Sequence, residues 1–342
     1  MTLFELCLIQ QRKKVTAVTI PIPGVYLVGF TDSLALSTDG INYTPIHNGG
    51  NYCSVLFKNR IFVSYPNSIL AYSQELTRAD ILNKNVSMSQ ISVADQGINY
   101  IRSMATNGTV LVAVLGSGGT NTIVYSYDGL TWTGSGMVFS YAGTVVKWVG
   151  NKFIAAGHGT SGTLFSSPDG ISWTQMMNAS VFGSYNSYYG GYVSDFVVNG
   201  NTIVCSGYKG DASSTTVAVS NDAGISWTAM SNPMATTRTD AVVWDGFRYL
   251  MAGYSGLKIS ESVDGVTNWT AIPVPREIFK MLTYKQSVVG LVGSFNSGLP
   301  TLMFFAPGNN TIVQSVYLAT SSTWLTGSSL TIYALEDFPE AL

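Results

Sequence analysis

The chain has 342 residues, 46% of them hydrophobic, only 11% charged, and a formal net charge of −2. Globular chains usually carry about 25% charged residues. The near-neutral balance, with no basic cluster larger than Arg12-Lys13-Lys14, excludes an electrostatic footprint for nucleic acid, and no apolar run is long enough to insert in a membrane.

Residues 1–14 place their charges after the apolar run rather than before it, which makes a poor signal peptide and reads as an amino-terminal arm. The rest, 15–342, reads as one domain. Lys14-Val-Thr-Ala-Val-Thr-Ile20 can supply its first strand. A motif follows, Ser37-Thr-Asp39-Gly40-Ile-Asn-Tyr43, and it recurs with a tryptophan. The later copies are Ser126-Tyr-Asp128-Gly129-Leu-Thr-Trp132, Ser167-Pro-Asp169-Gly170-Ile-Ser-Trp173, Ser220-Asn-Asp222-Ala-Gly224-Ile-Ser-Trp227 and Ser262-Val-Asp264-Gly265-Val-Thr-Asn-Trp269.

The aspartates are separated by 89, 41, 53 and 42 residues. The first gap is twice about 44, the period of a four-stranded propeller blade. A decayed copy is therefore expected midway, and Ala71-Tyr72-Ser73-Gln74-Glu75-Leu76 fills that place with Glu75 near the acidic position. Thr301–Asn310 reads as a worn seventh copy. The fourth unit shows the strands: Gly143–Gly150, Asn151–His158, Thr163–Ser167 and Ile171–Met176, rich in β-branched and aromatic residues and bounded by turn formers. Small residues recurring in the second strand (Ala155-Ala156-Gly157; Cys205-Ser206-Gly207) suggest a place near a crowded axis. No stretch has a sustained helical period. These features predict an all-β, seven-bladed β-propeller of four-stranded antiparallel blades, closed by strands from both ends of the chain, with Ser328–Leu335 as the terminal strand.

The motif has a local mechanism, since Asp-Gly between strands favours a hairpin turn with positive φ at glycine. It also resembles the Asp-box (BNR) repeat of sialidase-like propellers, Ser-x-Asp-x-Gly-x-x-Trp, of the degenerate kind in virus and phage structural proteins. The fifth unit matches letter for letter. The third and fourth lack a residue between Asp and Gly, and the sixth has an extra residue before Trp269. The resemblance gives Asp39, Asp128, Asp169, Asp222 and Asp264, with Trp132, Trp173, Trp227 and Trp269, structural roles.

In such a ring the motif turns occupy one end, and the longer second-to-third and fourth-to-first connections occupy the other. The longest connection, Gln175–Tyr192, is rich in Tyr, Ser, Gly and Asn, a composition suited to recognition. Candidate contact residues are Tyr185, Tyr188, Tyr189, Tyr208 and Arg238. Sialidase chemistry, by resemblance, needs three arginines on a substrate carboxylate, a Tyr–Glu nucleophile and an acid/base Asp. The chain has seven arginines but lacks the Phe/Tyr-Arg-Ile-Pro string near its start. Asp240 and Glu277 are the nearest approach to a carboxylate pair. His47 and His158, read as loop residues, lack ligand spacing, so neither a metal nor a cofactor is expected. Cys7, Cys53 and Cys205 read as free thiols.

The expected function is a non-enzymatic structural or binding propeller, a virion surface or tail component. Its partners would be other structural proteins of a large assembly, or a host surface glycan or receptor. Alternatives are a sialidase-like glycosidase or lectin, and a cellular assembly factor in the cytoplasm or outside the cell.

Overall fold

The computed structural model describes residues 24–29, 33–49, 53–116, 121–158, 162–181, 192–208, 215–231, 239–253, 258–274, 277–284, 287–294, 298–305, 312–317 and 329–340. Among them the strands form antiparallel runs of four. Blade 4, for example, runs Ala142–Val149, Lys152–His158, Gly162–Ser167, Thr174–Asn178 from axis to rim. The first strands of the seven runs are Ser329–Tyr333, Cys53–Phe57, Ile101–Thr106, Ala142–Val149, Tyr192–Asn199, Ala241–Trp244 and Glu277–Tyr284. Each contacts the first strand of the next run, and the seventh contacts that of the first, which closes a ring. The protein is a β-propeller.

Burial follows position in the blade. The second strands Val25–Gly29 and Leu111–Leu115 are buried along their whole length, because neighbouring blades cover both faces; hence their continuous apolar sequence rather than alternation. Outer strands such as Thr44–Asn48 are half-buried to exposed. The core lies between blades: Phe57, Phe62 and Leu70 of blade 2 pack with Met104, Leu111 and Trp132 of blade 3. Cys205 is buried and Cys53 half-buried, both as free thiols.

The seam differs from the sequence expectation in one respect. The axial strand of blade 1 is Ser329–Tyr333, paired with Val25–Gly29 from Val25↔Tyr333 to Gly29↔Ser329. It takes the place assigned above to residues 14–20, which lie outside the described residues. At Gly157, one of the small residues of the second strands, a close approach sets the side-chain size. A Cβ on Gly157 would meet Ala142 O at 2.5 Å and the Phe139 ring at 2.7 Å, so the first strand and its approach set the limit.

The motif turns share one wiring. Ser126 Oγ accepts from Gly129 N (2.8 Å) and donates to Asp128 Oδ1 (3.0 Å). Asp128 Oδ1 accepts from Leu130 N (2.8 Å) and Thr131 N (2.7 Å). The same pattern recurs around Asp39, Asp169, Asp222 and Asp264. Trp173 and Trp227 donate Nε1–H to Gly170 O and Gly224 O, and Tyr43 donates its hydroxyl to Gly40 O. Trp132 and Trp269 have no such bond from Nε1.

Glycine in the motif is needed twice over at Gly129. Its φ is +78°, and a Cβ would lie 2.2 Å from the Phe62 ring of blade 2. Gly129→Ala is expected to cost about 2–3 kcal/mol, the sum of left-handed strain and overpacking. Urea unfolding would show it; a change under 1 kcal/mol would contradict this account of the turn.

These bonds also set an acid limit. Burial alone would raise the Asp39 and Asp128 carboxyls, but their donors outweigh it and hold both below the usual range. Backbone donation from Ser172 lowers Asp169, and the Thr267 hydroxyl lowers Asp264. The Ser226 hydroxyl leads the lowering of Asp222 to about 2. A depressed folded value means the unfolded chain binds protons first. The stabilisation is therefore complete above about pH 4, the unfolded value, and is lost as pH falls through the folded values. A urea midpoint that holds above pH 5 and drops between about pH 4 and 2 is expected, and an Asp264→Asn variant should show a shallower drop.

Blade 2 departs from the pattern. Ser73 keeps the motif serine, accepting from Ile61 N (2.9 Å), but Glu75 pairs with Arg60 (3.1 Å) instead of capping a turn. A helix, Arg78–Asn83, follows, which no periodicity announced. Its signal is local: Thr77 accepts from Asp80 N while the Asp80 carboxylate accepts from Thr77 N, a capping box.

Candidate functional site

Side chains fasten neighbouring axial strands in a fixed register. Ser103 Oγ of blade 3 accepts from Val146 N and donates to Val146 O of blade 4. Thr144 donates to Val193 O, and Lys147 Nζ to Phe196 O (2.6 Å), joining blade 4 to blade 5. Ser194 donates to Thr239 O, and Asp195 accepts from Val242 N (3.2 Å), joining blade 5 to blade 6. Neutral hydroxyls carry most of these links, which suits a chain poor in charge.

That register brings together the residues that begin three successive axial strands at the loop-bearing end. Tyr100 and Arg102 flank Ile101 in blade 3, Tyr141 precedes Ala142 in blade 4, and Tyr192 opens the axial strand of blade 5. His158, last in the second strand of blade 4, pairs with Tyr192 across the blade boundary. Its ring stacks on Tyr192 (4.1 Å, 11°) and meets Tyr141 at 5.4 Å. The Arg102 guanidinium lies over the Tyr100 ring at 5.6 Å. Gly116 backs this pair, since a Cβ there would fall 2.1 Å from Tyr100 and 2.5 Å from Arg102 Nε.

Burial, with the Arg102 charge second, pushes His158 down to about 4, so the ring is uncharged near neutral pH. Its Nδ1 is buried without a hydrogen-bond partner among the described residues. Tyr141 remains 43% exposed and supplies the open wall. A planar aromatic surface, one cation and an unmatched ring nitrogen thus share one end of the ring. Among the described residues, no group of three or more His, Cys, Asp or Glu is placed to hold a metal.

The sequence expectations meet this site unevenly. Tyr185, Tyr188, Tyr189 and Arg238 lie outside the described residues. The backbone of Tyr208 pairs directly with Tyr192, which places its strand end beside His158. Thr239, next after Arg238, donates from N to Gly207 O (3.1 Å) at that same end. The reading of His158 as an exposed loop residue is corrected: it closes a strand and is half-buried between two tyrosines. His47 likewise lies in a strand, its Nε2 2.9 Å from Gln90 Nε2. Tyr100, Tyr141 and Tyr192 were not among the candidate contacts, Tyr192 being read only as the end of the longest connection; the available signal was a tyrosine at or just before the axial strand in three consecutive units. Three described carboxylates are engaged in ion pairs of their own. Arg248, buried at the motif end, pairs with Asp245 and Glu261, and Asp195 pairs with Lys147.

No protein-family model and no curated protein sequence matches the chain. Solved structures do match. The chain is similar to YCF48 bound to D1 peptide, with TM-score 0.54, 15% identity, and 79% of this chain and 85% of that one covered. It is similar to a protein of Bacteroides fragilis described as a candidate 6-phosphogluconolactonase, with TM-score 0.58 and 8% identity over 92% and 99% of the two chains. It is also similar to the extracellular domain of a candidate hybrid two-component system of B. thetaiotaomicron, with TM-score 0.57 and 10% identity over 88% of this chain and 45% of that one. At these identities the likeness is one of fold.

Proposed function

We propose that the chain is a non-enzymatic binding propeller of the Asp-box type, whose loop-bearing end receives a partner on Tyr141, His158, Tyr192 and Arg102. The observation that carries this reading is the convergence of three tyrosines, a histidine and an arginine from three blades at the end where the long connections emerge. Tyrosine and arginine are the residues that concentrate binding energy in interfaces. One structural neighbour is described as bound to a peptide, an instance of this fold serving as a platform. The weakly charged, hydroxyl-rich composition favours residence in a large particle such as a virion, packed against other structural proteins; sedimentation of the chain with intact particles is the check on that setting.

Peptide and glycan arrays probed with the wild type, Tyr141→Ala and Val263→Ala test the binding face. Val263 is exposed at the opposite, motif-bearing end. Tyr141→Ala is expected to weaken captured ligands by about tenfold or more, and Val263→Ala to leave them unchanged. Equal binding by all three would remove the site from consideration, and turnover of a fluorogenic glycoside panel would overturn the non-enzymatic reading.

A further inference from the structure

We infer that the loop-bearing end recognises a protein partner through an acidic side chain of that partner, whose carboxylate is received by Arg102 beside the Tyr141 wall. The inference rests on the binding reading above and adds the chemistry of the ligand. Four arginines fall among the described residues. Arg60 is paired with Glu75 (3.1 Å), Arg78 with Glu340 (2.7 Å), and Arg248 with Asp245 and Glu261. Arg102 alone of these four has no carboxylate partner among the described residues, although it is half-buried against Tyr100 and Gly116.

A partly desolvated guanidinium without a counter-charge is held at a cost, and a carboxylate offsets it with paired, directional hydrogen bonds. Among the described residues of the cluster Arg102 is the only cation, and burial keeps His158 neutral. The Nδ1 of His158, without a partner among the described residues, is a second polar atom that a ligand could satisfy. A neutral glycan would stack on Tyr141 but leave the Arg102 charge uncompensated. Arginine set among tyrosines is instead the composition of a protein–protein anchor.

The test uses the full chain and three arrays of short N-acetylated peptides. The first carries one central Glu and an amidated end, the second replaces Glu by Gln, and the third has Gln with a free terminal carboxylate. Neutral and acidic oligosaccharides form a fourth arm. Expected are Glu peptides whose Gln counterparts bind at least about tenfold more weakly, and a similar loss in Arg102→Gln that Arg102→Lys partly restores. Binding should also weaken as salt rises from about 50 to about 500 mM.

Equal binding of Glu and Gln peptides, capture only in the free-carboxylate or oligosaccharide arms, or no binding in any arm would overturn the inference. Loss in Tyr141→Ala with none in Arg102→Gln overturns the carboxylate assignment and keeps the binding face; loss in neither overturns both. Unchanged thermal melting of each variant establishes that the fold is intact.

Discussion

Phe338→Ala is expected to lower the free energy of unfolding by about 3–5 kcal/mol, the range for emptying a buried aromatic site. Phe338 is fully buried and packs in one cluster with Leu76, Ile81 and Ala71 of blade 2 and Leu27 and Leu36 of blade 1. Its carbonyl accepts from Arg78 Nε (2.9 Å), and Arg78 N donates to Pro339 O (2.8 Å). The short helix that replaces the motif turn in blade 2 therefore grips the segment following the axial strand of blade 1. A second fastening lies just before it: Leu56 N donates to Tyr333 Oη (2.8 Å), and Ser54 Oγ lies 2.9 Å from Thr331 Oγ1.

Loss of the Phe338 ring opens a cavity beside the seam where Val25–Gly29 and Ser329–Tyr333 pair. Urea unfolding with an unchanged denaturant slope is the measurement. The exposed Arg78–Glu340 pair provides the contrast, because Glu340→Ala should cost no more than about 1 kcal/mol. If Phe338→Ala shifted stability by no more than Glu340→Ala, the seam would be held by strand pairing alone.

Asp195→Ala should cost about 3–4 kcal/mol, for it removes the acceptor that ties three blades together. Its carboxylate takes Lys147 Nζ of blade 4 at 2.6 Å, Val242 N of blade 6 at 3.2 Å, and the adjacent Phe196 N at 2.9 Å. The Lys147 ammonium also lies 5.0 Å from the Phe196 ring centre and donates to Phe196 O. Truncation would leave that ammonium and the Val242 amide without their charged partner in the half-buried axial layer. Asp195→Asn, which keeps an acceptor but drops the charge, should fall between wild type and alanine. Equal stability of all three proteins by urea titration would show that the hydroxyl links suffice. Native-state hydrogen exchange sharpens the result: amides of blades 4 to 6 should lose protection before those of blades 1 to 3.

Much of the architecture was readable because its determinants are local. A serine two residues before an aspartate, with glycine next and an aromatic beyond, specifies a turn whose bonds span no more than five residues. Even Ala223 of the fifth unit, the position that the third and fourth units lack, is absorbed locally. Ala223 takes φ +60°, and Gly224 N still reaches Ser220 Oγ at 2.8 Å. Spacing then gave the blade period, and apolar runs gave the buried second strands. Blade 2 was less legible, since its helix rests on the exchange between Thr77 and Asp80 rather than on a repeat.

The candidate site was hidden for a different reason. Tyr100, Arg102, Tyr141, His158 and Tyr192 come from three different repeats, and each alone resembles an ordinary strand-end residue. They meet because Ser103, Thr144 and Lys147 fix the register between the axial strands of blades 3, 4 and 5, and no pattern within one blade encodes that offset. The same holds for the closing strand. The composition of Ser329–Tyr333 marks it as β, but its place at the axis of blade 1 follows from its pairing with Val25–Gly29. Turn chemistry and strand period thus belong to the linear sequence, as short-range hydrogen bonding and alternation of faces do. Ring closure, the placement of Arg102 near His158 and the His158–Tyr192 stack arise where blades touch, through contacts between residues dozens to hundreds of positions apart.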